Sequence, residues 1–272
     1  MKHFIAVALT IALFTSCVKV NFNEEGSNGG GSHSDDPNET KLITGTIDRS
    51  ITLRKGVYTL QGYVYVNNNA VLTIEPGTII KSAESAGGEK GALIIERGSK
   101  LIAEGTPNEP IVFTSAKAPG NRAPGDWGGI ILLGKAPTNR PTSPAPIIEG
   151  GVNRPYGGTD PNDNSGILKY VRIEFSGVAA EPGSEINGLT LGGVGAGTTI
   201  EYVQVSYGSD DAYEFFGGTV NCRHLVALGT MDDDFDFDFG YTGNIQFAVS
   251  LRDKPADSDA ANGIEADNDG SG

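Results

Sequence analysis

A chain of 272 residues with 39 glycines, 14 prolines and two cysteines is too rich in turn formers for a helical bundle and too poor in cysteine for a disulfide framework. Its glycines keep no triplet period, which excludes collagen, and its formal charge of −14 lacks the basic stripe that nucleic-acid binding needs to displace phosphate counterions. Cations or basic partners are the natural complements of such a surface, and the length permits one large domain or two ordinary ones.

In chain order, Met1-Lys2-His3 and the apolar run Phe4 to Phe14 form a basic start and a core too short to cross a bilayer, the pattern of an export signal over residues 1–16. Leu13-Phe14-Thr15-Ser16-Cys17 resembles the lipobox of bacterial lipoproteins. That resemblance implies cleavage before Cys17, a lipid on its thiol and a membrane-anchored protein of the cell envelope. Phe14 stands where Leu is usual, so a plain secretory signal with an incidental cysteine is the alternative. Asn23-Glu24-Glu25 resembles a surface-export signal, which favours the outer membrane, although it sits further from Cys17 than is usual. Residues 17–40 are polar and glycine-rich and read as a flexible tether.

From residue 41 onward, strand-length apolar runs alternate with Gly, Pro and Asn turns, as in Tyr63-Val64-Tyr65-Val66 and Ile111-Val112-Phe113-Thr114. Val71 to Thr78 aligns with Ala92 to Ser99 at a spacing of twenty-one, with Ile80 meeting Leu101. Residues 119–161 break this rhythm with prolines and read as one rung, Gly128 to Leu133, carrying long loops. Trp127 opens that rung, either as a packed corner or as an exposed stacking platform for a ligand. Leu168 to Phe175 is matched by Ile200 to Tyr207 at thirty-two, because the loop Ala179 to Ile186 is inserted between them.

The strongest repeat is Gly208-Ser209-Asp210-Asp211-Ala212-Tyr213-Glu214-Phe215, echoed at twenty-two by Met231-Asp232-Asp233-Asp234-Phe235-Asp236-Phe237. Gly217, Thr219 and Asn221 then recur at twenty-three as Gly240, Thr242 and Asn244, and the one-residue slip reads as a bulge. Spacings near twenty with β-branched and aromatic residues predict an all-β solenoid, in which like residues stack above like. Cys222 aligns with Ile245 and is expected to be a buried apolar residue. The sequence predicts a parallel solenoid domain over residues 41–272, expected to lack its C-terminal cap.

Strict alternation in Phe235-Asp236-Phe237-Asp238-Phe239 sends rings to the core and carboxylates to the outer face. The aligned triplets place Glu214, Asp236 and Glu265 in one outward column. Asp210 and Asp211 over Asp232 and Asp233 form a second column at the preceding turn. Carboxylates about 4.8 Å apart repel unless a proton, a basic group or a cation lies among them. Ca²⁺, which takes six to eight oxygens, suits these seven acids; a solvated acidic bend is the plain alternative.

Gly125-Asp126-Trp127-Gly128-Gly129-Ile130, the Gly208 to Asn221 stretch and Asp232 to Asp236 resemble a family of Bacteroidetes surface lipoproteins. The resemblance implies a right-handed parallel β-helix of the pectin-lyase-like superfamily, which includes polysaccharide lyases and hydrolases. Asp210-Asp211 and Arg252-Asp253-Lys254 are superficially like the galacturonase motifs, but Asn-Thr-Asp and Gly-His-Gly are absent. A lyase would need calcium-bound acids and a basic residue, for which Arg223 and Arg252 are the candidates. Three functions stay open: a lipid-anchored binding protein presenting an acidic, calcium-stabilised surface to glycans or a protein partner, with Trp127, Arg223 and Arg252 as ligand contacts; a calcium-assisted lyase or glycosidase; and an adhesin stalk.

Overall fold

The computed structural model describes residues 41–85, 87–181, 184–252 and 261–268, so the signal, Cys17 and the tether lie outside it. Among the described residues there are twenty strands and no helix. A seven-stranded sheet runs in strict chain order through Thr46–Ile47, Tyr63–Val66, Ala92–Ile95, Ile130–Leu133, Leu189–Gly192, Tyr213–Phe216 and Phe235–Asp238. Every pairing along it is parallel. A broader, eleven-stranded sheet holds the rest of each coil. Gly166–Glu174 pairs with Lys100–Glu104 through its first half and with Ile111–Ser115 through its second, so two faces of the coil merge there into one bent strand. This is a right-handed parallel β-helix, as the repeats predict.

Alternation builds its interior. Val57–Gln61 and Ile79–Ala83 bury every second residue, and an inward column runs Val64, Leu93, Ile130, Leu189, Tyr213, Phe235. Each of these is at most 4% exposed and contributes roughly 1.5–3 kcal/mol by leaving water. The Tyr213 hydroxyl, which burial would otherwise strand, donates to the Val203 and Val226 carbonyls at 2.8 and 3.0 Å.

The bends in the broad sheet are unusual in composition. Tyr170, Tyr202, His224 and Phe247 hold φ between 49 and 63°, a left-handed conformation that costs a bulky residue roughly 1–2 kcal/mol. Their rings stack at 4.5, 4.3 and 4.8 Å, and each such pair returns about 0.5–1.5 kcal/mol. Coil stacking therefore offsets the strain that each coil carries alone. Asn221 and Asn244 form an amide rung in the same way, with the Asn244 side chain donating to Asn221 Oδ1 at 2.9 Å.

The spacings of twenty-two, twenty-three and thirty-two match the register. Glu214 pairs with Asp236, Cys222 with Ile245 and Ile167 with Thr199. Cys222 is 1% exposed, an apolar core position, and the inserted loop is the antiparallel hairpin Val178–Glu181 and Ser184–Ile186. The spacing of twenty-one is not a register. Val71–Ile74 pairs with Lys100–Glu104, and Ala92–Ile95 with Tyr63–Val66 in the other sheet; Ile80 meets Phe113, not Leu101. A Glu-x-Gly turn occurs at two different corners of the coil, and that local likeness mimics a repeat. The one-residue slip is not a strand bulge either, since pairing is unbroken through Phe216↔Asp238 and again through Cys222↔Ile245. The extra residue lies in the intervening turn. There Phe239, at φ 48°, leaves the core alternation and stacks on Phe216 at 5.7 Å.

Candidate functional site

The outer face of the seven-stranded sheet carries the column Tyr65, Ile94, Ile131, Thr190, Glu214, Asp236, read from strand register, and Glu265 extends it through a parallel bridge to Asp236. Its chemistry changes at Thr190. On the apolar side a strap of residues 134–158 lies over the sheet, packing Ile148, Val152 and Tyr156 against Ala92, Ile94, Ile131, Leu133 and Phe216. Tyr156 fits because position 192 is glycine: a Cβ there would meet Tyr156 Cβ and Cγ at 3.0 Å. Tyr63 donates to the Gly150 carbonyl at 2.9 Å, and Arg154 pairs with Glu96 at 2.8 Å while its guanidinium sits 4.4 Å from the Tyr65 ring.

These anchors deliver Glu149 to the acidic side, where its carboxyl shares a hydrogen bond with Glu214. Glu214 is 7% exposed and accepts from the Asn187 amide, so the predicted outward column is covered at Glu214, whereas Glu265 at its far end is exposed. One carboxylate oxygen each from Asp211, Glu214 and Asp236 lie within 4.8 Å of one another. Asp210, Asp211 and Asp232 form a second such group at the turn.

The turn column has a backbone role as well. Asn187 Oδ1 accepts the Asp211 N–H at 3.1 Å, Asp211 Oδ1 accepts the Asp233 N–H at 2.9 Å, and Asp233 Oδ1 accepts the Asn262 N–H. Each coil thus caps the turn of the next, which explains why Asp recurs there at twenty-two.

Crowding shows in the protonation equilibria. Burial, with the charges of Asp210, Asp236 and Asp232, pushes Asp211 up to about 10. Burial, then Glu149, holds Glu214 well above the usual carboxylate range. Burial pushes Glu149 up to about 7, with the charges of Glu185, Asp238 and Asp236 adding to it, and pushes Asp236 up to about 6, assisted by Asp238. A hydrogen bond to Asp233 and that residue's charge lift the exposed Glu265 to about 7. Thr190 Oγ1, Asp236 Oδ1 and Asp238 Oδ1 are buried with no hydrogen-bond partner among the described residues. Arg140, seated 4.6 Å from the centre of the Phe239 ring, supplies positive charge at the flank. The residues fit a hard cation: several carboxylates that ionise reluctantly together, and oxygens left without donors.

The seven predicted acids therefore come together at one end of one face. Of the predicted ligand contacts, Arg252 alone reaches them. Trp127 is 1% exposed, stacks on Phe113 at 6.4 Å and donates Nε1–H to the Glu174 carbonyl at 2.8 Å, so it is the packed corner and not a platform. Arg223 points from the other sheet, into a polar groove of about 620 Å³ with Glu201, Asn221, Asn244 and Gln246. Arg252 reaches the turn but is occupied there, 3.3 Å from the wholly buried Asp234 carboxylate and donating to the Asp232 and Asn262 carbonyls at 2.8 and 2.7 Å. Sequence reasoning missed Glu149 and Glu185, which lie in the strap and the inserted hairpin, and Asn187 and Thr190, which share the column's register but not its acidic residue type; the proline-rich interruption was the one sign that a strap covers the sheet.

Parallel coils, stacked polar turns and loops gathered over one sheet define a β-helix with a decorated flank. The family described as pectate-lyase like beta helix domain matches residues 45–272, and the chain belongs to that family. No curated protein and no solved structure matches it.

Proposed function

We propose that this is a lipid-anchored β-helix of the cell envelope that binds carbohydrate, with Ca²⁺ held in the acidic column beneath the strap. The observation that carries it is the convergence of Asp211, Glu214 and Asp236 oxygens within 4.8 Å on the flank of a pectate-lyase-like β-helix. Three carboxylates at that distance are mutually unfavourable without a counter-charge, and a bound divalent cation turns them into a rigid positive-centred platform for sugar hydroxyls and carboxylates. The lipobox at Cys17 supports the anchor, and the family supports the ligand class. Isothermal titration of the mature chain with acidic and neutral oligosaccharides, in calcium and then in EGTA, is the test. Binding that needs calcium supports the proposal, and no binding in calcium to any of them removes it.

A second reading, a glycosidase or lyase, draws on the shared hydrogen bond between Glu149 and Glu214, since one of the pair is protonated while Asp236 ionises near 6. Assays for reducing ends and unsaturated products distinguish it: turnover lost in Glu149→Gln supports catalysis, and binding without product leaves the binding protein.

A further inference from the structure

We infer that Glu149 of the strap and the buried hydroxyl of Thr190 complete the oxygen shell around the cation held by Asp211, Glu214 and Asp236, so that the cation locks the strap over residues 134–158 onto the coil. This rests on the calcium reading above and extends it from a patch of acids to a closed site with a moving wall.

Thr190 supplies the first argument. It sits in direct register with Glu214 and with Ile131, whose side chain is on the outer face, so its side chain projects into the same space as the carboxylate above it. It is 1% exposed, and its Oγ1 has no partner among the described residues. A hydroxyl left unbonded in that setting has lost its water without a replacement, and valine would occupy the same shape at no such cost. A hard cation is a partner that the hydroxyl oxygen can ligate without needing a donor. The buried Oδ1 of Asp236 is unpartnered in the same space.

The second argument is how Glu149 arrives. The strap is fastened through Ile148, Val152 and Tyr156 and through the Arg154–Glu96 pair, anchors that do not depend on the acidic column for their own contacts. That packing nonetheless presses Glu149 toward Glu214, Glu185, Asp236 and Asp238. Without a cation, the apolar contacts, the Tyr63–Gly150 hydrogen bond and the Arg154–Glu96 pair hold the strap down against like charge. With one, the same carboxylate becomes a ligand and electrostatics change sign. Asp211, Glu214, Asp236, Glu149 and Thr190 offer five protein oxygens, and one carboxylate binding through both of its oxygens brings the shell into the six to eight that Ca²⁺ takes. Mg²⁺, which demands a strict octahedron and releases water reluctantly, fits this irregular set poorly.

Calcium titration calorimetry and hydrogen exchange on the mature chain test this, with the metal itself as probe. We expect Ca²⁺, and not equimolar Mg²⁺, to slow amide exchange in residues 146–157 by about tenfold or more. Glu149→Gln weakens calcium binding by about tenfold and removes the added protection, and the shape-conserving Thr190→Val weakens it by severalfold. Glu109→Gln, on a surface ion pair far from the column, leaves both unchanged. Calcium that binds the wild-type chain without changing strap exchange, or that binds Glu149→Gln and Thr190→Val with wild-type affinity, overturns the locked strap while the acidic site stands. No calcium binding by the wild-type chain overturns both. The wild-type exchange comparison needs no variant to fold.

Discussion

One outer column contains two different proteins in miniature. In its earlier coils Ile94 and Ile131 lie under the strap in dry contact with Ile148 and Tyr156; in its later coils Glu214 and Asp236 lie under the same strap against Glu149. Backbone geometry is the same in both halves, because parallel stacking repeats every side chain about 4.8 Å above its predecessor. Repetition amplifies whatever it is given. Stacked isoleucines add dispersion and burial with each coil, whereas stacked carboxylates add repulsion, so the first half of the column anchors the strap and the second half stores unfavourable charge that a ligand can relieve.

The comparison breaks most severely if charge is moved into the dry half. Ile131→Asp, at a position 1% exposed, is expected to cost about 4 kcal/mol or more, seen as loss of a cooperative urea transition at neutral pH; a shift under 1 kcal/mol would show that the strap does not seal that half. Tyr156→Ala removes a buried ring from over Gly192 and is expected to cost about 3–4 kcal/mol, with limited proteolysis then cutting the strap ahead of the coil.

Acidity sharpens the comparison next, and its sign is fixed by the raised carboxyls. Below its ordinary value of 4.5, Glu149 is protonated folded or unfolded; above it the unfolded chain releases a proton that the folded chain keeps until about 7. Stability of the calcium-free protein is therefore complete at low pH in this respect and is lost as pH rises through 7, with Asp236 contributing toward 6 and Asp211 extending the loss toward 10. We expect a thermal midpoint lower by about 5 °C at pH 8 than at pH 5. Calcium at about a hundred times its dissociation constant restores about 2.7 kcal/mol at pH 8, and Asp236→Asn reduces both effects. A midpoint that rises from pH 5 to pH 8 in EGTA contradicts the buried acids.

The smallest effect is expected on the opposite sheet, where Tyr202→Gly relieves left-handed strain and loses two ring contacts, a net change of about 1 kcal/mol or less by urea denaturation.

The parts of this architecture that the sequence displays are the parts where one coil follows the next without interruption. Tyr213-Glu214-Phe215 and Phe235-Asp236-Phe237 are adjacent rungs, so their alignment is visible as a spacing and their pairing is the same in three dimensions. The false spacing of twenty-one arose because each coil contains several strands of similar composition, and turn chemistry alone cannot say which corner it marks. Glu149 was invisible for a different reason. Its partner Glu214 lies in a later coil, and what joins them is the burial of Ile148 and Tyr156 on a sheet face whose outward residues could be recognised only after register was known. Trp127 shows the same limit from the other side, since its sequence position allowed a platform and its burial against Phe113, with the bond to the Glu174 carbonyl, decides for a packed corner.

The strap follows Ile130–Leu133 and the hairpin Val178–Glu181 and Ser184–Ile186 precedes Leu189–Gly192, neighbouring strands of the seven-stranded sheet, while the bends at Tyr170, Tyr202 and His224 carry ladders on the broad one. Lengthening or exchanging segments at those departure points leaves the ring ladder and its hydrogen-bonded rungs as they are. The coil thus behaves as a chassis whose one flank accepts new parts, and descendants of such a chain can acquire different cargo without relearning how to wind.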